Sequence, residues 1–287
     1  MIRRILLASA GAMALAGPAF AADLAPPPAY VPPPPMWTGF YVGVNAGYDW
    51  AASTGVNTVS LPAYSDPLGF TSGFAAAANG NLNVDNNGFI GGGQIGYNYQ
   101  FANSFVAGLE LDIDGVAGAT AHGSVTTNAT VVGVPVTTEL LAQKSVNYVG
   151  TVRGRFGYLV IPTLLVYGTG GFADGGFDFT ATDFQSGTNT FLGAGYRTIN
   201  YNKVGWTAGG GIEWMAFPNW SVKIEYLYYD LGSVTSTGVL SAFTPVPPVA
   251  GVYALSESKT HLNGNVVRAG INYHFNWFEP APVVAKY

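Results

Sequence analysis

Trp220-Ser221-Val222-Lys223-Ile224-Glu225-Tyr226-Leu227-Tyr228 is the stretch that decides the fold. Trp220, Val222, Ile224, Tyr226 and Tyr228 fall on one side of a period-two repeat, and Ser221, Lys223 and Glu225 fall on the other. That is a strand with one apolar and one polar face. Just upstream, across Phe217-Pro218-Asn219, the pattern has a mirror, in which Val204, Trp206, Ala208, Ile212 and Trp214 alternate with Thr207 and Glu213. So short a connection predicts an antiparallel hairpin. Counting outward from it sets Glu213 opposite Lys223, a favourable cross-strand pair.

Six further stretches carry the same signature. From Gly39 to Trp50, Phe40, Val42, Val44, Ala46 and Tyr48 oppose Tyr41, Gly43, Asn45, Gly47 and Asp49. From Gly88 to Phe101, Phe89, Ile95, Tyr97 and Tyr99 oppose Gln94, Asn98 and Gln100. Phe105, Ala107, Leu109, Leu111 and Ile113 face away from Glu110, Asp112 and Asp114, and Val146, Tyr148, Val152, Phe156 and Tyr158 from Asn147, Thr151, Arg153 and Arg155. Leu164 to Ala173 is apolar or glycine on both sides, so its facing is undetermined. Near the end, Val267, Ala269, Ile271, Tyr273 and Phe275 oppose Arg268, Asn272 and His274. Strands of about ten residues suit a tilted bilayer crossing. Three connections are a few residues long, around Ala102-Asn103, Val160-Ile161-Pro162 and Phe217-Pro218-Asn219. The other four run to about 25 residues or more, beyond what a soluble domain ordinarily leaves structureless. An up-and-down order puts every long connection on one side, giving an all-β, closed antiparallel eight-stranded transmembrane β-barrel with four long extracellular loops and short periplasmic turns.

Alternation alone does not say which face is wet; the aromatics do. Phe40, Tyr158, Trp214, Trp220, Tyr273 and Phe275 lie towards the short turns, and Tyr48, Trp50, Phe89, Tyr148, Trp206, Tyr226 and Tyr228 towards the long connections. Aliphatic residues and glycine fill the band between. Two aromatic girdles around an aliphatic band mark two membrane interfaces. The polar face then lines the interior, where Glu110, Asp112, Glu213 and Glu225 are offset by Arg153, Arg155, Lys223 and Arg268. A narrow eight-stranded barrel has room for side chains and little else, so these charges read as a packed polar core, with Asn45, Gln94, Asn98 and Asn272 joining it. The small residues Gly43, Gly47, Gly209 and Gly211 leave open a second reading, a narrow conductance tuned by Arg153, Arg155 and Glu110.

The rest of the chain agrees. Arg3 and Arg4, an apolar run from Ile5 to Gly17 and the close Ala19-Phe20-Ala21 have the layout of a secretory leader, 1–21. That apolar run is too short to span a bilayer as a helix. Residues 22–36 are proline-rich and read as an extended periplasmic spacer, followed by a barrel at 37–275 and a tail at 276–287. About 265 residues outlast the leader, enough for one β domain. Charged residues make up 9% of the chain, against ~25% in soluble domains, while mean hydropathy is +0.24. A net charge of −5, made more negative by loss of Arg3 and Arg4, argues against nucleic acid as a partner. There is no cysteine, hence no disulfide framework and no lipidated anchor.

No motif points to a cofactor or metal. Gly91-Gly92-Gly93-Gln94-Ile95-Gly96 matches the dinucleotide fingerprint by letter, but a strand continues where the motif needs a helix. His122, His261 and His274 lack metal-ligand spacing, and no Gly-x-Ser-x-Gly elbow occurs. A barrel hydrolase or acyltransferase built on His122 or His261 with Asp and Ser partners is the weaker alternative to a protein without catalysis.

Trp37-Thr38-Gly39-Phe40-Tyr41-Val42-Gly43 after a proline-rich spacer, Leu165-Val166-Tyr167-Gly168-Thr169-Gly170-Gly171, and Val267-Arg268-Ala269-Gly270-Ile271-Asn272-Tyr273-His274-Phe275 resemble the Omp25/Omp31-like, opacity-related outer-membrane porin family of alphaproteobacteria. The resemblance spans nearly the whole mature chain. It implies an eight-stranded barrel in the outer membrane, surface loops that act as antigens and a part in envelope integrity, with no catalytic residues to carry over. The chain departs from the pattern after Phe275, where such barrels commonly stop. The expectation is therefore a structural outer-membrane protein touching lipid and lipopolysaccharide and inserted by the barrel assembly machinery. A small-solute porin and a surface adhesin of unknown ligand are the alternatives.

Overall fold

The computed structural model describes residues 36–187, 190–244 and 249–275. The leader, nearly all of the spacer and the tail lie outside these described residues. Among the described residues the strands are β1 Gly39–Ala51, β2 Gly55–Pro62, β3 Gly80–Asn83, β4 Asn87–Phe101, β5 Phe105–Ala117, β6 Thr120–Val131, β7 Val134–Ile161, β8 Leu164–Gly187, β9 Thr190–Phe217, β10 Trp220–Thr244 and β11 Val249–His274, with a helix, α1, at Phe70–Ala77.

The hairpin around Pro218 is β9–β10, with Lys223 opposite Glu213. β1, β4, β5, β7, β8, β9, β10 and β11 form an antiparallel ring of eight, closed where β1 pairs with β11. Closure leaves no free edge in the hydrocarbon, as a membrane-crossing sheet requires. Two of the three tight turns use residues at positive φ, Ala102 with Asn103 in one and Asn219 in the other, and the Asn219 side-chain amide donates to the His274 carbonyl at 2.8 Å. The undetermined strand is settled, since Leu165 and Tyr167 are buried while Val166 and Phe172 are exposed.

The four long connections are not loops in the sense expected. β7 to β11 run for 24 to 28 residues each, about 80–90 Å along the chain at ~3.3 Å per residue. Only a third or so of that is needed to cross a bilayer. Beyond the membrane the strands carry on as a second storey, to which β2 adds on β11, β3 on β2 and β6 on β7. One facing is also corrected. A register shift between Val146 and Tyr148 is a bulge that reverses the pleat, so Val146 is buried and Asn147 exposed.

Packed layers follow one another along the barrel interior. At the short-turn end Trp37, Val106, Leu159, Leu165, Tyr167 and Met215 cluster, and the Trp37 indole N–H donates to the Pro162 carbonyl at 2.9 Å. The charged layer comes next. Above it sits an apolar layer that includes Ile90, Val149, Phe177, Leu227 and Val266, then a second around Val56, Leu140 and Phe179. A buried polar tier follows, where Arg197 meets Asp183 at 2.8 Å and the Ser258 hydroxyl at 3.0 Å. At the outer mouth α1 sets Phe74, Ala75 and Ala78 against Val131, Val136, Leu240 and Tyr253.

Candidate functional site

The charged layer is built by residues two apart on neighbouring strands. Glu110, Asp112 and Asp114 come from β5, Arg153 and Arg155 from β7, Glu213 from β9, Lys223 and Glu225 from β10, and Arg268 from β11. All are buried. Arg153 lies 2.5 Å from Glu110, 2.7 Å from Asp112 and 3.1 Å from Glu225. Arg268 holds Glu225 at 2.7 Å and Asp112 at 3.2 Å and also pairs with Asp114. Lys223 reaches Glu110 at 3.0 Å and Arg155 reaches Glu213 at 2.6 Å. Lys223 and Glu213 therefore stand in register but look past each other, each to a partner across the barrel. Side chains converging on one narrow axis bring distant strands closer than adjacent ones.

Several members carry no charge; the amides Gln94 and Asn272 were expected in this polar core, whereas Tyr41, Tyr167 and Ser221 escaped the sequence reading. The Tyr41 hydroxyl donates to Glu110 at 2.7 Å and accepts from Arg155 at 3.0 Å. Tyr167 donates to Glu225 at 2.9 Å, and the Arg155 guanidinium lies 4.0 Å from the centre of its ring. Asn272 and Ser221 both donate to Glu213, at 2.7 and 2.5 Å, and Gln94 donates to Asn272. The signal for Tyr41 and Ser221 was a hydroxyl on the polar face of a strand; Tyr167 had none, since the facing of its strand was undetermined. With these bonds nearly every carboxylate has both a cation and a neutral donor, the condition under which buried charge is tolerable.

The glycine niches are occupied. A Cβ at Gly47 would lie 2.6 Å from Arg268 Cβ, and one at Gly211 2.8 Å from the Tyr167 hydroxyl. Asn272 and Leu227 crowd Gly43 and Gly209 in the same way. The glycines thus admit large neighbours.

Outside, the girdle residues all lie on the lipid-facing surface. Phe40, Tyr158, Trp214 and Trp220 are exposed and Tyr273 and Phe275 half-buried at the turn end; Tyr48, Phe89, Trp206 and Tyr226 are exposed and Trp50, Tyr148 and Tyr228 half-buried at the other. Val42, Leu109, Ile224 and Ile271 are exposed between them. His274 joins the interior layer, 3.4 Å from Glu213. His122 is exposed on β6, and His261 faces outward on β11.

A closed eight-strand ring with a charged, filled interior and an aliphatic exterior bounded by aromatics defines an outer-membrane β-barrel. The chain belongs to the outer membrane protein beta-barrel domain family, whose profile matches residues 6–275. It is 35% identical over 282 residues to the 31 kDa outer-membrane immunogenic proteins of Brucella melitensis and Brucella suis, covering 96% of this chain and 100% of theirs. It is also 29% identical to a 22 kDa outer membrane protein of Rhizobium leguminosarum, over 58% of this chain and 67% of that one. Among solved structures OprG of Pseudomonas aeruginosa aligns with a TM-score of 0.37 at 10% identity, over 83% of this chain and 97% of that one. The Brucella relatives are outer-membrane proteins, and the cell outer membrane is where this chain resides.

Proposed function

We propose that the protein is a closed wall element of the outer membrane, one that crosses the lipid without conducting and holds a rigid face outward. The observation that carries this is the filled interior, in which the periplasmic plug around Trp37, the charged layer and the apolar layers leave the axis to side chains. Lipopolysaccharide would surround the outer girdle, and the barrel assembly machinery would insert the chain. No chemistry is assigned to the interior charges. The test is planar-bilayer recording on refolded mature protein that passes a heat-modifiability gel. The expected result is no conductance steps above background, together with detergent sensitivity of cells lacking the gene. Reproducible, size-selective channels would replace this reading with a porin.

A second reading, surface recognition, has one observation in its favour. Val239, Leu255 and Leu61 are neighbours in register on the outer face of β10, β11 and β2, and Leu61 and Leu255 are 63% and 53% exposed. Apolar patches on a wet surface commonly mark binding faces. The Brucella relatives are named immunogenic, which fits a surface seen from outside. Leu61→Lys with Leu255→Lys should abolish any host-surface binding while leaving the barrel folded; unchanged binding would remove the second reading.

A further inference from the structure

Asp230, Ser233 and His261 meet on the outward face, just above the outer girdle. The ladder between β10 and β11 slips between Asp230 and Ser233, and His261 stands opposite Ser233. The bulge turns both β10 side chains to the same side. His261 Nε2 lies 3.0 Å from Asp230 Oδ1, and His261 Nδ1 lies 3.0 Å from Ser233 Oγ. A carboxylate can only accept, so Nε2 carries the ring proton and Nδ1 presents a lone pair to which the Ser233 hydroxyl donates. The order is nucleophile, base, orienting acid, with the imidazole used from its other nitrogen than in the serine proteases. The His261 side chain is 38% exposed and that of Asp230 21%, so the group is within reach of a ligand.

Independently of these bonds, a hollow of about 300 Å³ opens beside Ser233 and His261. Its floor is Gly55, at which a side chain would meet nothing within 4 Å. Asn83 stands across from Gly55. Lys259, Asn57 and Asn81 form the next cross-strand row and close the upper rim. The volume is at the small end of the range for small-molecule sites. Its height in the membrane is set by the girdle, since Asp230 pairs with Trp206 and Asn263 donates to the Tyr228 hydroxyl at 3.1 Å. Rings of that girdle sit at the headgroup boundary, the depth at which acyl esters of outer-leaflet lipids carry their carbonyls.

We propose that this site hydrolyses carboxylic esters presented at the outer surface, with Ser233 as nucleophile, His261 as base and Asp230 as the residue that positions the imidazole. Ser233 Oγ attacks the ester carbonyl carbon as its proton passes to His261 Nδ1, and the carbonyl electron pair moves to the oxygen. Lys259 and Asn57 stabilise that oxyanion. Its collapse breaks the bond to the alcohol oxygen, which takes the proton from Nδ1 and leaves. Water then attacks the acyl-serine, giving its proton to Nδ1; Oγ departs and recovers that proton, and the acid is released.

The experiment uses mature protein folded into vesicles of phosphatidylethanolamine and lipopolysaccharide, with the heat-modifiability gel as fold control. A fluorophosphonate probe should label Ser233, as located by peptide mass spectrometry. Hydrolysis should fall about 10²–10⁴-fold in Ser233→Ala and His261→Gln. Asp230→Asn should lower kcat and leave KM nearly unchanged. Gly55→Phe, which fills the hollow, should raise KM about tenfold yet keep probe labelling. Release of p-nitrophenol from p-nitrophenyl butyrate without fatty acid from the vesicles assigns a soluble ester, and fatty-acid release assigns a lipid ester. Folded protein with unlabelled Ser233 and hydrolysis equal to that of Ser233→Ala overturns the proposal.

Discussion

Below the outer girdle the barrel hides charge and shows hydrocarbon, whereas above it the same strands bury mainly hydrocarbon, with a polar tier at Arg197 and Asp183, and show hydroxyls and amides. β7 makes the contrast in one run. Arg153 and Arg155 point inward in the membrane, while Val136, Leu140 and Ala142 do so outside it. Amphipathic sign follows the solvent on each face, not the strand. Lipid outside demands an apolar exterior and leaves the interior to polar residues, and water outside reverses the demand. The seam is marked by bulges in β7 between Val146 and Tyr148 and in β10 between Asp230 and Ser233.

The sharpest way to break this contrast is to remove one interior cation. Arg268→Ala leaves Asp114 without a cation and Asp112 and Glu225 with fewer, inside lipid-clad walls, and should cost about 3–5 kcal/mol in urea unfolding from vesicles. A cost below about 1 kcal/mol would mean that water reaches the layer. A slightly smaller effect is expected on the outside. Ile224→Arg, midway between the girdles, should cost about 2–4 kcal/mol, whereas Thr237→Arg on the outer storey should stay within about 0.5 kcal/mol. Equal costs would place lipid on both storeys or on neither.

Lys144 tests the apolar interior of the outer storey. It is buried, and its ammonium donates to the Ser53 and His261 carbonyls at 3.3 and 3.5 Å. Burial pushes its pKa down to about 8 from 10.5, with Asp85 pulling the other way. Below pH 8 both folded and unfolded chains carry the charge, so the full burial cost stands. As pH rises from 8 towards 10.5 the folded chain holds fewer protons, and the outer storey should gain stability. Lys144→Met should deliver about 1–3 kcal/mol of that gain already at pH 7, read by resistance of the outer storey to limited proteolysis. The smallest effect concerns α1. The Asp66 carboxylate accepts from the Thr71 hydroxyl at 2.5 Å and from the Phe70 and Thr71 N–H groups, both at 2.8 Å, and these bonds, the hydroxyl's above all, hold its pKa down at about 2. Asp66→Ala should loosen the helix in hydrogen exchange without moving the unfolding midpoint of the barrel. In the parent the same loosening should set in only as pH falls from about 4 through 2.

The membrane storey was legible because lipid forces a strong alternation, as in Trp220 to Tyr228, and pins rings at two depths. The outer storey was not. There the buried face mixes Val136 and Leu140 with Thr138 and Lys144, the exposed face includes Leu61 and Leu255, and bulges shift the parity of β7 and β10. Contrast between faces is therefore weak, and the segments read as loops. Within the charged layer, identity and facing were readable, because ionisable residues on the polar face of a narrow barrel have nowhere else to go. Partnership was not. Glu213 and Lys223 are neighbours by count, yet Glu213 meets Arg155 and Lys223 meets Glu110, since convergence on an axis depends on tilt and stagger. The grouping of His261 with Ser233 and Asp230 hangs on a bulge that no residue pattern announced.

A ladder that continues past the membrane changes what an antibody can grip. Thr235, Lys259, Asn57 and Asn81 are side-by-side neighbours across four strands, though they come from two distant parts of the chain. Epitopes on this surface are rows, whereas a linear peptide reproduces only a column. Sera raised against peptides or denatured protein should therefore bind folded cells poorly, and an immunogen that keeps the strands paired should elicit the antibodies that reach them.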